Sequence, residues 1–424
     1  MSSEKKDKPR KRAKQVVGLA LLVLLGLGLL LVTTDSAPPD DSDLMPTPQT
    51  PIPDAENGYV AFEQALNTLQ KEPQGIYVAN LSRDLDEVVA KGGSEGLTQM
   101  LAQAQTALEA NNQPLQFLEE AARRPRWQAS RTSFGLGTPD LDPLLNVWFL
   151  AAKLRQRPEE AARRARVALT VGALARRNPY DGFEYDQTTS LMRRALYRVR
   201  ALLDEPSPLN RELRGIEQWL ATRPPTVVNW AEVQRRSYAD ILSDLTSPTS
   251  LGGFDSLHFL NYKPNRTRQH CSEIYRLAIA AADGDDAAGD RLEQLKEDWV
   301  RAGWGGLNTL TMLLGGNAAG DQYTIETAVF SGLLPDDLVY DTQLRATLVV
   351  FALRHFVDRY EELPDRLEQL VPEFLPAVPT DPFDETALKY SRERRVVYGV
   401  GYDRVDNGGD DSNDEVALIP WKSP

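Results

Sequence analysis

An apolar run near the start of the chain limits the possible architectures more than any other feature of the sequence. Val16 to Val32 contains no charged residue, and Met1 to Lys14 before it carries seven basic and two acidic side chains. A helix of this length spans roughly 26 Å, close to the ~30 Å hydrocarbon core of a bilayer. We therefore predict a basic cytoplasmic tail over 1–14 and a transmembrane helix over 15–32. Later residues are then expected on the extracytoplasmic side of the membrane.

The alternative for this apolar run is a cleaved signal peptide. Such peptides have a shorter apolar region of about 7–15 residues and end in a cleavage site with small side chains. The following residues, TTDSA, place Asp35 where a small side chain is preferred. We therefore expect an uncleaved signal anchor, and cleavage is the alternative.

Composition excludes several classes of protein. The net charge of -13 argues against a general nucleic-acid surface, because binding to phosphates requires clustered cations. The single cysteine, Cys271, can form neither an intramolecular disulfide nor a cysteine-based zinc site. The hydrophobic content of 42% predicts packed cores, so most of the chain is expected to fold.

The region beyond the membrane segment begins with a Pro- and Asp-rich stretch, which predicts an extended linker over 33–55. An all-helical domain is predicted over 56–340. Leu145, Trp148, Phe149 and Ala152 follow helical spacing, and a second helix is expected to start at Pro158. These helix pairs, with Ala-rich faces and Arg-rich backs, loosely resemble tetratricopeptide-like repeats. An irregular helical bundle is an equal alternative because no fixed period is found.

The pattern changes over 341–424, where one helix and a small antiparallel sheet predict an α+β module. The helix carries Leu344, Leu348 and Phe351 on one face and should end before Pro364. The segments RRVVYGVGY and EVALIPW favour strands, because they are rich in β-branched and aromatic residues. The predicted fold class is therefore mainly α, with a transmembrane helix, an irregular helical-hairpin body and a small α+β C-terminal module.

Two motifs in this module carry a family resemblance. They are VPTDPF, at 378–383, and YGVGYD, at 398–403, which is followed by a Gly- and Asp-rich loop. The module resembles the globular domain of the major pseudopilin of type II secretion systems. In that family the loop binds calcium through an Asp in the turn and two adjacent Asp residues seven and eight positions later. The resemblance therefore implies Asp403, Asp410 and Asp411 as Ca²⁺ ligands.

The chemistry of calcium is compatible with such a loop. Ca²⁺ takes six to eight oxygen ligands from a flexible loop, and Gly408-Gly409 would allow a tight return of the chain. The spacing does not fit an EF-hand, because Glu415 and Trp421 stand where that motif needs Gly and Glu. Asp406 and Asp414 would either supply further ligands or face water. A solvated acidic loop without metal is the alternative.

The chain also departs from the pseudopilin pattern. Its membrane segment lacks the glutamate of that family, and the helical body separates this segment from the C-terminal module. We therefore expect a membrane-anchored, extracytoplasmic binding or scaffold protein in the inner (cytoplasmic) membrane of a bacterial envelope. It is expected to have no catalytic residues and no enzymatic activity, and to contact protein partners through the helical body. The alternatives are a secretion-system component and an extracytoplasmic hydrolase with a cleft between the helical body and the C-terminal module.

Overall fold

The computed structural model of the chain describes most residues after the N-terminal segment. The described residues are 17, 23, 34–91, 96–129, 140–204, 210–223, 228–245, 262–304, 317, 320, 323–324, 337–412 and 414–421. The predicted tail over 1–14, and the predicted membrane helix over 15–32 apart from Val17 and Val23, lie outside them. None of the helices in the described part of the chain has the length and apolar character needed to cross a bilayer.

Contacts divide the chain into two compact units. Unit 1 comprises Met1–Pro48 and Trp230–Leu334, and unit 2 comprises Gln49–Asn229 and Pro335–Pro424. This division differs from the predicted boundaries. The helical region expected as one domain over 56–340 contributes to both units, and the C-terminal residues belong to the same unit as the first helices. A core shared between distant segments produces this arrangement, and the local sequence patterns do not reveal it.

Unit 2 is built mainly of helices whose starts carry recognisable signals. Asp181 accepts a hydrogen bond from the backbone N–H of Glu184 at 2.7 Å, and Asn210 accepts one from Leu213 at 3.0 Å. Pro158 occupies the first turn of its helix, which confirms the predicted start. The helices of unit 2 are α1 (Gly58–Thr68), α2 (Val78–Lys91), α3 (Leu97–Ala110), α4 (Asn112–Arg123), α5 (Asp142–Leu154), α6 (Pro158–Arg177), α7 (Gly182–Leu202), α8 (Arg211–Thr222) and, from the C-terminal region, α12 (Asp337–Tyr360).

A three-stranded antiparallel sheet completes unit 2. Its strands are β1 (Lys389–Ser391), β2 (Val396–Gly399) and β3 (Glu415–Leu418), in the order β1-β2-β3. Strands β2 and β3 confirm the two strands predicted from the sequence, whereas β1 was not predicted. All four residues of β2 are buried, and helix α12 packs against β2 and β3. The mainly helical fold with a small antiparallel sheet is therefore confirmed for the described residues.

One apolar core holds these elements together. Helix α7 packs against α6 and α12, and α8 packs against the same two helices. The core cluster includes Leu144 of α5, Leu196 of α7, Phe351 of α12 and Val397 of β2. Because α12 contacts both the helices and the sheet, it fixes the position of β3 relative to α7.

Unit 1 contains helices α9 (Trp230–Leu245), α10 (Pro264–Ala282) and α11 (Asp286–Trp304). Helix α10 packs against both of the others, and Cys271 is buried in a core cluster with Tyr238 and Tyr275.

The acidic stretch of unit 1 differs from the expected extended linker. The carboxylate of Asp35 accepts hydrogen bonds from the first-turn backbone N–H groups of Asn265 at 2.7 Å and Arg266 at 3.1 Å. Asp41 is buried and accepts two hydrogen bonds from Arg268, each 2.6 Å long. These carboxylates therefore attach the stretch to α10, because arginines and a helix N-terminus donate hydrogen bonds to them.

Candidate functional site

The acidic loop between β2 and β3 holds the three residues predicted to bind calcium. Asp403 is exposed and accepts hydrogen bonds from the backbone N–H of Val405 at 2.9 Å and from the side-chain amide of Asn407 at 3.1 Å. Asp410 accepts from the backbone N–H and hydroxyl of Ser412 at 3.0 and 2.7 Å, and these bonds lower its pKa. Asp411 is exposed.

The buried acid of this loop is Asp414, not one of the three predicted ligands. Its carboxylate accepts backbone N–H groups from Gly409 at 2.8 Å, Asp410 at 3.2 Å and Asn407 at 3.3 Å. Asp406 accepts from the hydroxyl of Tyr398 at 3.0 Å and from the backbone N–H of Gly408 at 2.9 Å. Asp414 thus closes the loop by accepting protein donors.

The two glycines of the loop adopt the conformation that the sequence predicted. Gly408 and Gly409 have φ angles of 72° and 80°, which residues other than glycine rarely adopt. A Cβ atom at Gly409 would lie 2.6 Å from Cγ2 of Val396 on β2, so the loop needs glycine here for close packing as well. Among the residues that the structure describes, no three His, Cys, Asp or Glu side chains form a group able to hold a metal ion. The calcium site stays a prediction.

The aspartate of the VPTDPF motif, Asp381, lies beside the end of strand β2. Asp381 is fully buried and accepts backbone N–H groups from Phe383 at 3.0 Å and Val400 at 2.8 Å. Gly399 gives it room, because a Cβ atom there would lie 2.6 Å from a carboxylate oxygen of Asp381. This carboxylate therefore joins the proline-containing turn to the end of β2.

A second polar site of unit 2 lies along one face of α7. Ser190, Arg193, Arg194, Tyr197 and Arg200 line a cavity of about 420 Å³ together with Gln343 of α12 and Val416 of β3. Each of the α7 residues in this set lies three or four positions from another member of the set, so their side chains share one face of the helix. A stripe of hydrogen-bond donors therefore lies along a cavity that is open to solvent and has α12 and β3 on its other side.

Arg200 is buried at this cavity, with a relative exposure of 6%, which Gln343 shares. One guanidinium nitrogen, Nη1, donates to the hydroxyl of Thr347 at 2.7 Å, and Nε has no hydrogen-bond partner among the described residues. Burial lowers the pKa of Arg200 to about 10, so the group still carries its charge at neutral pH. Within the described part of the chain, no carboxylate forms a salt bridge with Arg200. A buried cation without a counter-charge is costly to the folded state.

The other arginines of the cavity have carboxylate neighbours. Arg194 forms a salt bridge of 2.7 Å with Asp142, and Nη2 of Arg193 lies 4.0 Å from Oε2 of Glu415. Both arginine side chains are about half exposed at the rim of the cavity. The same oxygen of Glu415 accepts a hydrogen bond of 3.3 Å from the side-chain amide of Gln343. Among the described residues, carboxylates therefore compensate the positive charge at the rim, whereas none forms a salt bridge with Arg200.

The sequence patterns did not predict this cavity. The sequence pattern places the arginines of α7 on the Arg-rich back of a helix pair and indicates no site there. The useful signal was the spacing itself, since Arg193, Tyr197 and Arg200 fall on one face of a helix that has apolar neighbours. Nothing in that spacing shows that Gln343 and Val416 cover the stripe.

Comparisons of the chain with models of protein families, with curated proteins and with solved structures give no match.

Proposed function

We propose that this chain is a membrane-anchored, extracytoplasmic binding protein that holds an anionic group in the arginine-lined cavity of unit 2. The observation that carries the proposal is the buried guanidinium of Arg200, which has an unused Nε donor and no carboxylate partner among the described residues. Replacement of such a group by an apolar side chain would remove a desolvation penalty, so its presence favours a role in binding. The planar fork of an arginine is suited to oxyanions.

A thermal-shift experiment on the full-length chain tests anion binding. Phosphate, sulfate and acetate would be added at physiological ionic strength, where non-specific surface effects are largely screened. An anion at a hundred times its Kd stabilises the folded state by about 2.7 kcal/mol, which corresponds to a rise of about 5 °C in Tm. We expect such a rise for at least one anion in the wild-type chain and none for Arg200→Met.

A matched control removes a positive charge outside the cavity. Arg83 is exposed on α2 and lies 3.8 Å from Asp84, so Arg83→Met lowers the net charge of unit 2 without changing the cavity. This variant should keep the full anion-dependent rise in Tm. An equal rise in wild type and Arg200→Met would contradict the proposed function.

The membrane anchor is proposed from the apolar run over 15–32 and the basic residues before it. Treatment of intact spheroplasts with a protease tests the orientation. The chain after the anchor should be digested from outside, whereas a tag placed before Met1 should stay protected until the membrane is opened. Protection of the whole chain in intact spheroplasts would contradict the proposed location.

The calcium-binding role of the acidic loop is a separate proposal, supported by the spacing of Asp403, Asp410 and Asp411 and by the positive φ angles of the two glycines between them. Calcium added to the metal-free full-length chain should raise Tm, and the triple change of these residues to Ala should abolish the rise. Asp290→Ala, at an exposed position on α11, is the control and should keep it. An unchanged Tm of the wild-type chain with millimolar calcium would remove this site.

A further inference from the structure

The chemical class of the anion is limited by a carboxylate that the protein itself supplies at the cavity rim. Glu415 begins β3, immediately before Val416, which lines the cavity. Its Oε2 lies 4.0 Å from Arg193 and accepts from the Gln343 amide at 3.3 Å, so it contacts two lining residues. Glu415 thus occupies donors that an incoming anion would use.

A tethered carboxylate competes strongly with a free one. Because Glu415 is attached to β3, its effective concentration at the rim is high, on the order of millimolar or more. A ligand with a single carboxylate would offer Arg193 and Gln343 the same contact that they already have, and would gain little there. The resident carboxylate therefore lowers the affinity of every incoming anion at the rim, so a ligand that binds well must offer more acceptor atoms than a single carboxylate does.

The arrangement of donors indicates which group that is. Donors reach the cavity from two elements, with a hydroxyl and guanidinium groups on α7 and an amide on α12. A carboxylate presents two oxygens in one plane, whereas a phosphate group presents three terminal oxygens in different directions and carries about −1.5 to −2 charges at neutral pH. A phosphate group can contact the guanidinium of Arg200 and a rim arginine together. A terminal phosphate also offers more charge and more free oxygens than a phosphate within a diester chain, which has two free oxygens and one charge.

From these contacts we infer that the cavity binds a terminal phosphate group, either inorganic phosphate or a phosphomonoester, which displaces Glu415 from Arg193 and Gln343. This inference rests on the proposed function and adds the ligand class and the role of Glu415 as an internal competitor. Arg200 binds the phosphate directly. Glu415 lowers the affinity for every anion that displaces it and is not a ligand for the phosphate.

Isothermal titration of the full-length chain with inorganic phosphate and with acetate tests the inference. We expect phosphate to bind the wild-type chain at least about tenfold more tightly than acetate, because a doubly charged group makes more charge-assisted hydrogen bonds. In Glu415→Gln the competitor loses its charge, so both anions should bind more tightly. Arg200→Lys keeps the charge but lacks the planar fork, and should weaken phosphate binding by about tenfold.

The source of the phosphate group is distinguished by two further probes. Glycerol 3-phosphate represents a soluble phosphomonoester, and phosphatidylcholine vesicles containing phosphatidic acid represent a lipid headgroup. Binding of either probe that is lost in Arg200→Met supports the inference and assigns the source. Vesicles of phosphatidylcholine alone are the control and should not bind through Arg200.

Different experimental outcomes would contradict the ligand class, the role of Glu415 and the proposed function. Equal binding of acetate and phosphate by the wild-type chain would overturn the ligand class but leave the proposed anion-binding function standing. Unchanged affinities in Glu415→Gln would overturn the role of Glu415. Absence of binding for every anion, with the variants folded as judged by circular dichroism, would overturn both the inference and the proposed function.

Discussion

Arg198 and Arg200 are two residues apart on α7, yet the two faces of this helix give their guanidinium groups opposite electrostatic surroundings. Arg198 is buried toward α5, where it donates to Asp142 at 2.7 Å and to Asn146 at 3.2 Å. Arg200 is buried toward α12, where its hydrogen-bond acceptor is the neutral hydroxyl of Thr347. Residues two apart on a helix point in nearly opposite directions, so one short stretch of sequence serves both faces.

The difference between the two faces separates a structural charge from a charge available for binding. The Asp142 carboxylate compensates the charge of Arg198, which therefore links α7 to α5. Thr347 gives Arg200 one hydrogen bond and no counter-charge, and Thr347 also donates its own proton to the carbonyl oxygen of Gln343 at 2.6 Å. Thr347 thus keeps a hydrogen bond if Arg200 is removed, so the folded structure depends little on Arg200.

The largest effect is expected when the compensated charge is removed. Arg198→Met should lower the free energy of unfolding by about 3 kcal/mol, because it breaks a buried ion pair and leaves Asn146 without one donor. Arg200→Met should change it by less than about 1 kcal/mol in either direction, because an unpaired buried charge is replaced by an apolar side chain of similar length. Urea unfolding of both variants measures the difference. Equal losses in the two variants would show that Arg200 also has a structural role.

Unit 1 contains a second buried and compensated charge, Asp41, and a more exposed charge of the same kind, Asp43. Burial pushes the pKa of Asp41 up, but hydrogen bonds from Arg268 and Tyr238 outweigh it and hold the pKa below its ordinary value. Asp41→Asn should therefore cost about 2 kcal/mol of stability near neutral pH. The control is Asp43→Asn, because Asp43 pairs with Arg276 in a more exposed position and should contribute less than about 1 kcal/mol.

The sign of the pH dependence of Asp41 follows from its lowered pKa. Its contribution is complete above the unfolded pKa of about 3.9 and is lost as the pH falls through the lower folded value. The free energy of unfolding of unit 1 should therefore be higher in the wild-type chain than in Asp41→Asn at neutral pH. The two values should converge at strongly acidic pH, which an acid titration of both chains measures. A difference in unfolding free energy that stays constant at all pH values would contradict the lowered pKa of Asp41.

The smallest effect is expected at a half-exposed pair in unit 2. Nε2 of His355 on α12 lies 2.9 Å from Glu217 on α8, and this hydrogen bond raises the pKa of His355 although burial opposes it. The stabilisation is complete below the unfolded pKa of about 6.5 and is lost as the pH rises through the folded value. Solvent screening limits it to about 0.5 kcal/mol. The difference in unfolding free energy between about pH 6 and pH 8 should decrease in Glu217→Gln.

Much of the local structure could be predicted because its signals are local. Pro158 starts α6, and the β-branched residues before Gly399 form β2. The boundaries of the units could not be predicted, because they depend on which distant segments share a core. In the acidic loop, the sequence did not indicate that Asp414 accepts three backbone N–H groups, and the calcium site at Asp403, Asp410 and Asp411 stays a prediction.

The sequence by itself determined which side chains of α7 share a face, because the helical repeat follows from backbone geometry. Only the tertiary structure decided that this face is covered by Gln343 and Val416, which come from positions far along the chain. Helical spacing cannot show how much water a charge loses, because that loss depends on every element packed against it. For this reason Arg198 and Arg200 look alike in the sequence, and only packing pairs Arg198 with Asp142 and gives Arg200 the neutral hydroxyl of Thr347.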